Sequence, residues 1–199
     1  MPSDRVTRRD VVKTLTMGAA AGSVLRVIPL QAAEFAHAVI QAEKSKDKAA
    51  EYKPKFFDAH QYKTLALLCE TILPADADSG GAIEAGAPEF IDLLTSENTE
   101  YQTRLGGGLI WLDSVCSGRY GKAYLDCAPQ QQTEMLDLMA YRKNGARDES
   151  LITGVEFFSF LRNFTADGFF TSKIGIKYLG YKGNTYLTEF PGCPPVPGV

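Results

Sequence analysis

Residues 151–165 read LITGVEFFSFLRNFT. Phe157, Phe160, Leu161 and Phe164 recur at intervals of three and four, so a helix places all four on one side, and the stripe reads as core rather than as a cofactor box. Working outward, the same period appears along the chain. Asp58 stands where a helix N-cap would, and Leu65, Leu68, Cys69 and Ile72 follow at i, i+3, i+4 and i+7 until Pro74 stops the pattern. Pro88 opens a short helix over residues 89–94. Leu105, Leu109, Leu112 and Cys116 line a longer one over about 100–116. Gly106, Gly107 and Gly108 interrupt it, each costing about 1 kcal/mol relative to alanine, which predicts close packing or a kink there. Pro129 begins a helix through about residue 141 holding Met135, Leu136, Leu138 and Met139, and residues 144–149 follow as a polar break. There is no strand-like alternation and no repeat. The expected fold is mainly α: a compact helical body over 56–174 with an extended, Gly/Pro/aromatic C-terminal tail over 175–199.

Composition agrees. The chain has 199 residues, 45% apolar, 23% charged and 11% aromatic, with a formal net charge of −3. That is enough apolar material for a core, which excludes wholesale disorder, a collagen-like fibre and a disulfide-stapled toxin. Near-neutral charge argues against a dedicated nucleic-acid binder. Two histidines, four cysteines and one tryptophan leave few ligands for a metal or haem.

The two ends depart from the helical pattern. Residues 7–13, TRRDVVK, with Arg8, Arg9 and Lys13, resemble a twin-arginine export signal, although Val11 and Val12 replace the more usual Phe and Leu. A weakly hydrophobic stretch over 14–30 follows, about 25 Å long as a helix and a little short for a bilayer. Ala32-Ala33 and Ala36-His37-Ala38 offer small residues that suit a signal peptidase, so residues 1–38 are expected to be an export segment, either cleaved or retained as an anchor. It carries five basic and three acidic residues, leaving the remainder at net −5. Residues 39–55, rich in Lys and Ala, read as a charged linker or frayed helix.

At the other end, residues 175–199 read GIKYLGYKGNTYLTEFPGCPPVPGV. Gly and Pro forbid a long helix, yet Tyr178, Tyr181, Tyr186 and Phe190 make the segment too apolar for a free linker. It must lie against something, either its own body or a partner protein.

Several chemistries lack their signatures. No cysteine begins a Cys-x-x-Cys-His haem attachment, and Gly106-Gly107-Gly108 lacks the spacing of a dinucleotide-binding turn. His60 is the one histidine of the body, and Asp76, Asp78 and Glu84 form an acidic loop without calcium-loop spacing. Cys69 falls on a buried stripe and reads as an inert thiol. Cys116 and Cys127, eleven positions apart across a glycine-containing turn, are candidates for a local disulfide, and Cys193 in the tail for an interchain one. Asn163-Phe164-Thr165 matches a glycosylation sequon, but the stripe puts Phe164 in the core.

Three blocks carry a family resemblance: FFDAHQYKTLALLCETILPADADSGGAIEAGAPEFIDLL over 56–94, GLIWLD over 108–113, and GFFTSKIGIKYLGYKGNTYLTEFPGCP over 168–194. They resemble the gluconate 2-dehydrogenase subunit 3 family. The resemblance implies the small, or gamma, subunit of a periplasmic FAD-dependent sugar or polyol dehydrogenase. In such complexes the FAD sits on a large subunit of the glucose-methanol-choline type, and a multihaem cytochrome c subunit, carrying haem c, often completes the assembly. On this reading the present chain holds no cofactor or metal. It is a non-catalytic partner that supports folding of the flavoprotein and carries it out through the twin-arginine route, and membrane association can come through the complex. Ala128, where a capping Ser or Thr is usual before Pro129, and the pair Cys116 and Cys127 depart from the family pattern. The alternative expectation is a self-contained periplasmic enzyme with a site near His60 and the loop over 76–84.

Overall fold

The computed structural model describes residues 30–46 and 52–183. Among the described residues, eight helices of six residues or more order as α1 (Leu30–Lys46), α2 (Ala59–Ile72), α3 (Ala87–Ser96), α4 (Gly107–Tyr120), α5 (Pro129–Ala140), α6 (Arg142–Arg147), α7 (Ile152–Phe170) and α8 (Lys173–Tyr178). Among the described residues there is no strand. The fold is a helical body built around α7, which packs against α2 to α6 and against α8.

The predicted punctuation is met residue by residue. Asp58 accepts the backbone N–H of Gln61 at 2.8 Å while the Gln61 side chain accepts from Asp58 N–H at 3.3 Å, a complete capping box for α2. Pro88 lies in the first turn of α3. Ala128 has no side-chain acceptor, but Gln131 still takes its N–H at 2.9 Å, so half of a capping box survives at α5. The aromatic stripe is core, as its spacing requires: Phe157, Phe160, Leu161 and Phe164 are all buried, and the Phe160 and Phe164 rings stand 4.5 Å apart with Tyr101 4.8 Å from Phe164. Thr165, the third residue of the sequon, is fully buried.

The triple glycine meets both expectations placed on it. The helical run begins at Thr99, passes through a π-helical turn at Gln102–Gly106 and continues as α4 to Tyr120, beyond the predicted end at 116. A β-carbon on Gly108 would stand 2.0 Å from the Phe157 ring of α7, and one on Gly154 of α7 would stand 2.2 Å from the Trp111 ring of α4. The pairs 108/157 and 111/154 run in opposite directions along the two helices. Each helix therefore receives an aromatic ring of the other in a glycine notch, which fixes an antiparallel crossing.

Three sequence expectations need correction. The boundary drawn at residue 38, and the charged linker placed over 39–55, fall across α1. Ala32, Ala33, Ala36 and Ile40 of that helix are buried, and it packs on α3. Small side chains allow this close approach while giving little hydrophobic signal. His37 stacks on Phe90 with ring centroids 5.0 Å apart and lies 2.9 Å from Thr171 Oγ1, and burial lowers its pKa below the usual 6.5. Second, part of the polar break over 144–149 belongs to α6, where Gly145 is buried and the Asn144 side chain donates to the carbonyls of Asp137 and Leu138 at 3.2 and 3.0 Å. Third, the tail does not begin extended at 175, because α8 runs to Tyr178.

At the centre of the body, α3 is buried from Ala87 to Thr95. Its Asp92 is fully buried and gathers the chain entering α2: Oδ2 accepts Tyr52 OH at 2.8 Å and Lys55 N–H at 2.6 Å, and Oδ1 accepts the N–H groups of Phe56 and Phe57, both at 3.1 Å.

Candidate functional site

The tail residues expected to meet a partner begin on α8. Ser172 caps this helix, its Oγ accepting Gly175 N–H at 3.1 Å. Gly175 is required by a close approach, since a β-carbon there would stand 2.1 Å from the carbonyl oxygen of Phe169, and the helix lies directly on the end of α7. Gly180 then takes a left-handed φ of 64° and ends the turn. This geometry turns large apolar side chains outward. Within twelve residues, Phe170 is 37% exposed, Ile176 37%, Tyr178 51%, Leu179 60% and Tyr181 57%. Such a density of exposed apolar side chains is the mark of an interaction surface. Of the tail residues singled out by sequence, Tyr178 and Tyr181 lie here, whereas Tyr186, Phe190 and Cys193 lie outside the described residues, as do Arg8, Arg9 and Lys13. Phe170 and Ile176 escaped the sequence reading, which had Leu179 among the apolar residues of the tail. Their signal was an apolar run C-terminal to a buried stripe, masked by the surrounding glycines.

Beside α8 runs the acidic loop. Asp76 Oδ1 accepts the N–H groups of Asp78 and Ser79, both at 2.8 Å, while Glu70 of α2 accepts those of Ala75 and Ile83 at 3.3 and 2.9 Å. These bonds hold the loop on the C-terminal end of α2. Asp78, Glu84, Lys177 and Tyr178 then border a cleft of about 540 Å³. Its lining is mixed, with the Asp78 and Glu84 carboxylates and the Lys177 ammonium beside Ile174 and Tyr178.

His60 lies elsewhere. It sits at the start of α2, half exposed, with Nε2 2.7 Å from Oδ2 of Asp113, and Asp113 Oδ1 accepts the N–H of Tyr124 at 3.0 Å. Glu70, which anchors the loop, is ten positions further along the same helix, roughly 15 Å at 1.5 Å per residue. His60 and the 76–84 loop are thus at opposite ends of α2, and the single site expected of them is not assembled. Asp113, fifty-three residues from His60, carried no sequence signal for the pairing.

A further concavity of about 630 Å³ lies along α7, bordered by Arg104, Arg142, Ser159 and Asn163. Arg104 there is engaged already, with Glu100 at 3.1 Å and over the Phe160 ring at 4.9 Å.

Cys69, Cys116 and Cys127 are thiols in the structure. Cys69 is fully buried, with Thr165 Oγ1 at 3.5 Å, and burial pushes its pKa up to about 12, as an inert core thiol requires. Cys116 and Cys127 are both buried in one core cluster, and the Cys127 Sγ donates to the Ala123 carbonyl at 3.3 Å. Among the described residues, no three His, Cys, Asp or Glu side chains converge as a metal site would need, and no helix is long and apolar enough to cross a membrane.

Compared with known proteins, the chain matches a family model, described as gluconate 2-dehydrogenase subunit 3, over residues 59–192. No curated protein and no solved structure matches it.

Proposed function

Because the chain belongs to the gluconate 2-dehydrogenase subunit 3 family, we propose that it is the non-catalytic small subunit of an FAD-dependent sugar or polyol dehydrogenase complex. Its partner is a flavoprotein of the glucose-methanol-choline type, which in such complexes is often joined by a multihaem cytochrome c subunit. It binds the flavoprotein in the cytoplasm, supports its folding and supplies the twin-arginine signal for both. The observation that carries this reading is the extent of the family match, which takes in the helical body and continues through the exposed apolar face into the tail. Arg8, Arg9 and Lys13 support the export role, and the outward-facing Tyr178 and Tyr181 support docking. FAD is assigned to the flavoprotein partner, and haem c to the cytochrome subunit of those complexes that have one.

Changing Arg8 and Arg9 to lysine tests the export role. The catalytic subunit is expected to remain in the cytoplasm, its periplasmic activity falling at least tenfold. Full export of that subunit would refute the carrier function. Docking is tested separately by Tyr178→Ala with Tyr181→Ala. Loss of two half-exposed aromatics from an interface is expected to weaken the complex by about 2 kcal/mol, roughly thirtyfold in Kd. Titration of tagged subunits would reveal it, and unchanged affinity would move the interface away from α8.

A further inference from the structure

We propose that Cys116 and Cys127 are joined by a disulfide in the exported protein, made by exchange with a disulfide oxidant and fastening the 3-10 turn at Tyr124–Asp126 onto α4. The compartment follows from the proposed export. The pairing itself rests on the geometry.

Cys116 lies near the C-terminal end of α4, and Cys127 caps the 3-10 turn, its own N–H donating to the Tyr124 carbonyl at 3.2 Å. Two observations place these elements together: Asp113 of α4, three residues before Cys116, accepts Tyr124 N–H at 3.0 Å, and Cys116, Tyr124 and Cys127 are buried in one core cluster, where Cys127 acts on the Cys116 thiol. Tyr124 is buried beside both sulfurs, which raise its pKa together with burial. The thiols therefore share one buried frame, and forming the bond requires Cys127 to give up its Sγ contact to the Ala123 carbonyl. Competing partners are absent from this frame among the described residues. Cys69 lies on α2 against Thr165.

Access sets the order of events. Cys116 is fully buried, whereas Cys127 is 6% exposed at the edge of a short loop whose Gly121 takes a left-handed φ of 71°. Opening of residues 121–128 exposes Cys127 first. Its thiolate attacks one sulfur of a disulfide oxidant, the displaced thiolate takes up a proton, and a mixed disulfide remains on Cys127. The Cys116 thiolate then attacks the Cys127 sulfur and expels the second thiolate of the oxidant. Two cysteine thiols lose two protons and two electrons, and the oxidant is reduced to two thiols. Burial and the neighbouring Cys127 push the Cys116 pKa up to about 12. A thiol of that kind is a sluggish nucleophile and a poor leaving group, so the bond forms slowly and, once formed, resists cleavage. This describes a structural staple, not a redox relay.

The test uses the full-length chain, with any partner that co-purifies, equilibrated with oxidised glutathione both in the native state and during refolding. Samples are quenched by alkylation under denaturing conditions and mapped by peptide mass spectrometry. The expected product is one linked peptide joining Cys116 to Cys127, two hydrogens lighter than the dithiol. It forms faster when mild denaturant opens the loop. Closing this loop is expected to raise Tm by about 8 °C, an increment removed by dithiothreitol. The Cys116→Ser, Cys127→Ser variant should melt alike with and without reductant. Complete alkylation of both cysteines after both treatments would overturn the proposal, as would a link from either to Cys69 or Cys193. Glutathione equilibration does not depend on export, so failure of the Arg8 and Arg9 test leaves this result intact.

Discussion

An Asp92→Ala chain is expected to lose about 4 kcal/mol of stability, a large share of the 5–15 kcal/mol typical of a folded domain. The carboxylate is fully buried and receives three backbone N–H groups and a tyrosine hydroxyl. Hydrogen bonds to a charged acceptor contribute about 1.5–3 kcal/mol each, and some of the loss is recovered because the Tyr52 and Lys55 donors are only partly buried. Asparagine retains one oxygen but turns an amide donor toward donors already present, so Asp92→Asn should lose more than half as much. Tyr52→Phe removes a single bond and should cost about 1 kcal/mol. Urea titration checks the series. A lower midpoint at unchanged m is expected throughout, and an Asp92→Ala loss below about 1 kcal/mol would show that the 52–57 segment is held by its ring contacts instead.

Gly108→Ala is expected to destabilise the body by about 2 kcal/mol, despite alanine's advantage of about 1 kcal/mol in a helix. A β-carbon at 2.0 Å from the buried Phe157 ring leaves no rotamer unchanged. Either the ring leaves its place in the core or α4 moves off α7. Gly154→Ala meets the rim of Trp111, which is only half-buried and can swing outward, so the cost there should be smaller, about 1 kcal/mol. Combining each substitution with Phe157→Leu separates the two notches. The smaller side chain should recover part of the loss at Gly108 and none at Gly154, as measured by a double-mutant cycle from thermal or urea unfolding. A stabilised Gly108→Ala chain would mean that the glycines serve the π-helical turn and not the helix crossing.

These two sites differ in how far the sequence discloses them. The glycine run was conspicuous because it breaks a helical pattern at a known cost, and a compensating close approach could be inferred without knowing the partner. Asp92 had no such mark. In FIDLL it reads as one polar residue in a short amphipathic helix, and only the folded chain reveals that α3 has no solvent face for it. The same distinction runs through the molecule. Asp58, Pro74, Pro88 and Pro129 act on their immediate neighbours, so the helix ends they govern were legible. Phe157, Phe160, Leu161 and Phe164 were legible by period.

What was missed depends on contacts distant in sequence. The apolar face of α1 is mostly alanine, whose signal is too weak to separate a core helix from an export leader followed by a linker. RKNGAR, residues 142–147, has almost no apolar content, and its helix is sustained by burial of Gly145 and by Asn144 reaching back to α5. At α8 the glycine that argued against a helix is the residue that lets the helix seat on the Phe169 carbonyl. As for the candidate site, Tyr178 and Tyr181 were found by composition. The cleft beside them, and the separation of His60 from the acidic loop, required the length of α2.

The burial of α1 bears on how the leader is processed. A signal peptidase needs an extended substrate strand, yet the small-residue runs Ala32-Ala33 and Ala36-His37-Ala38 lie within α1, where Ala32, Ala33 and Ala36 are buried and Ala38 is exposed. Cutting after Ala38 would discard three of the four buried side chains of that helix together with the His37 stack on Phe90. Under the proposed export, maturation and folding would compete for the same residues, and a chain folded beforehand would carry Ala32, Ala33 and Ala36 already shielded.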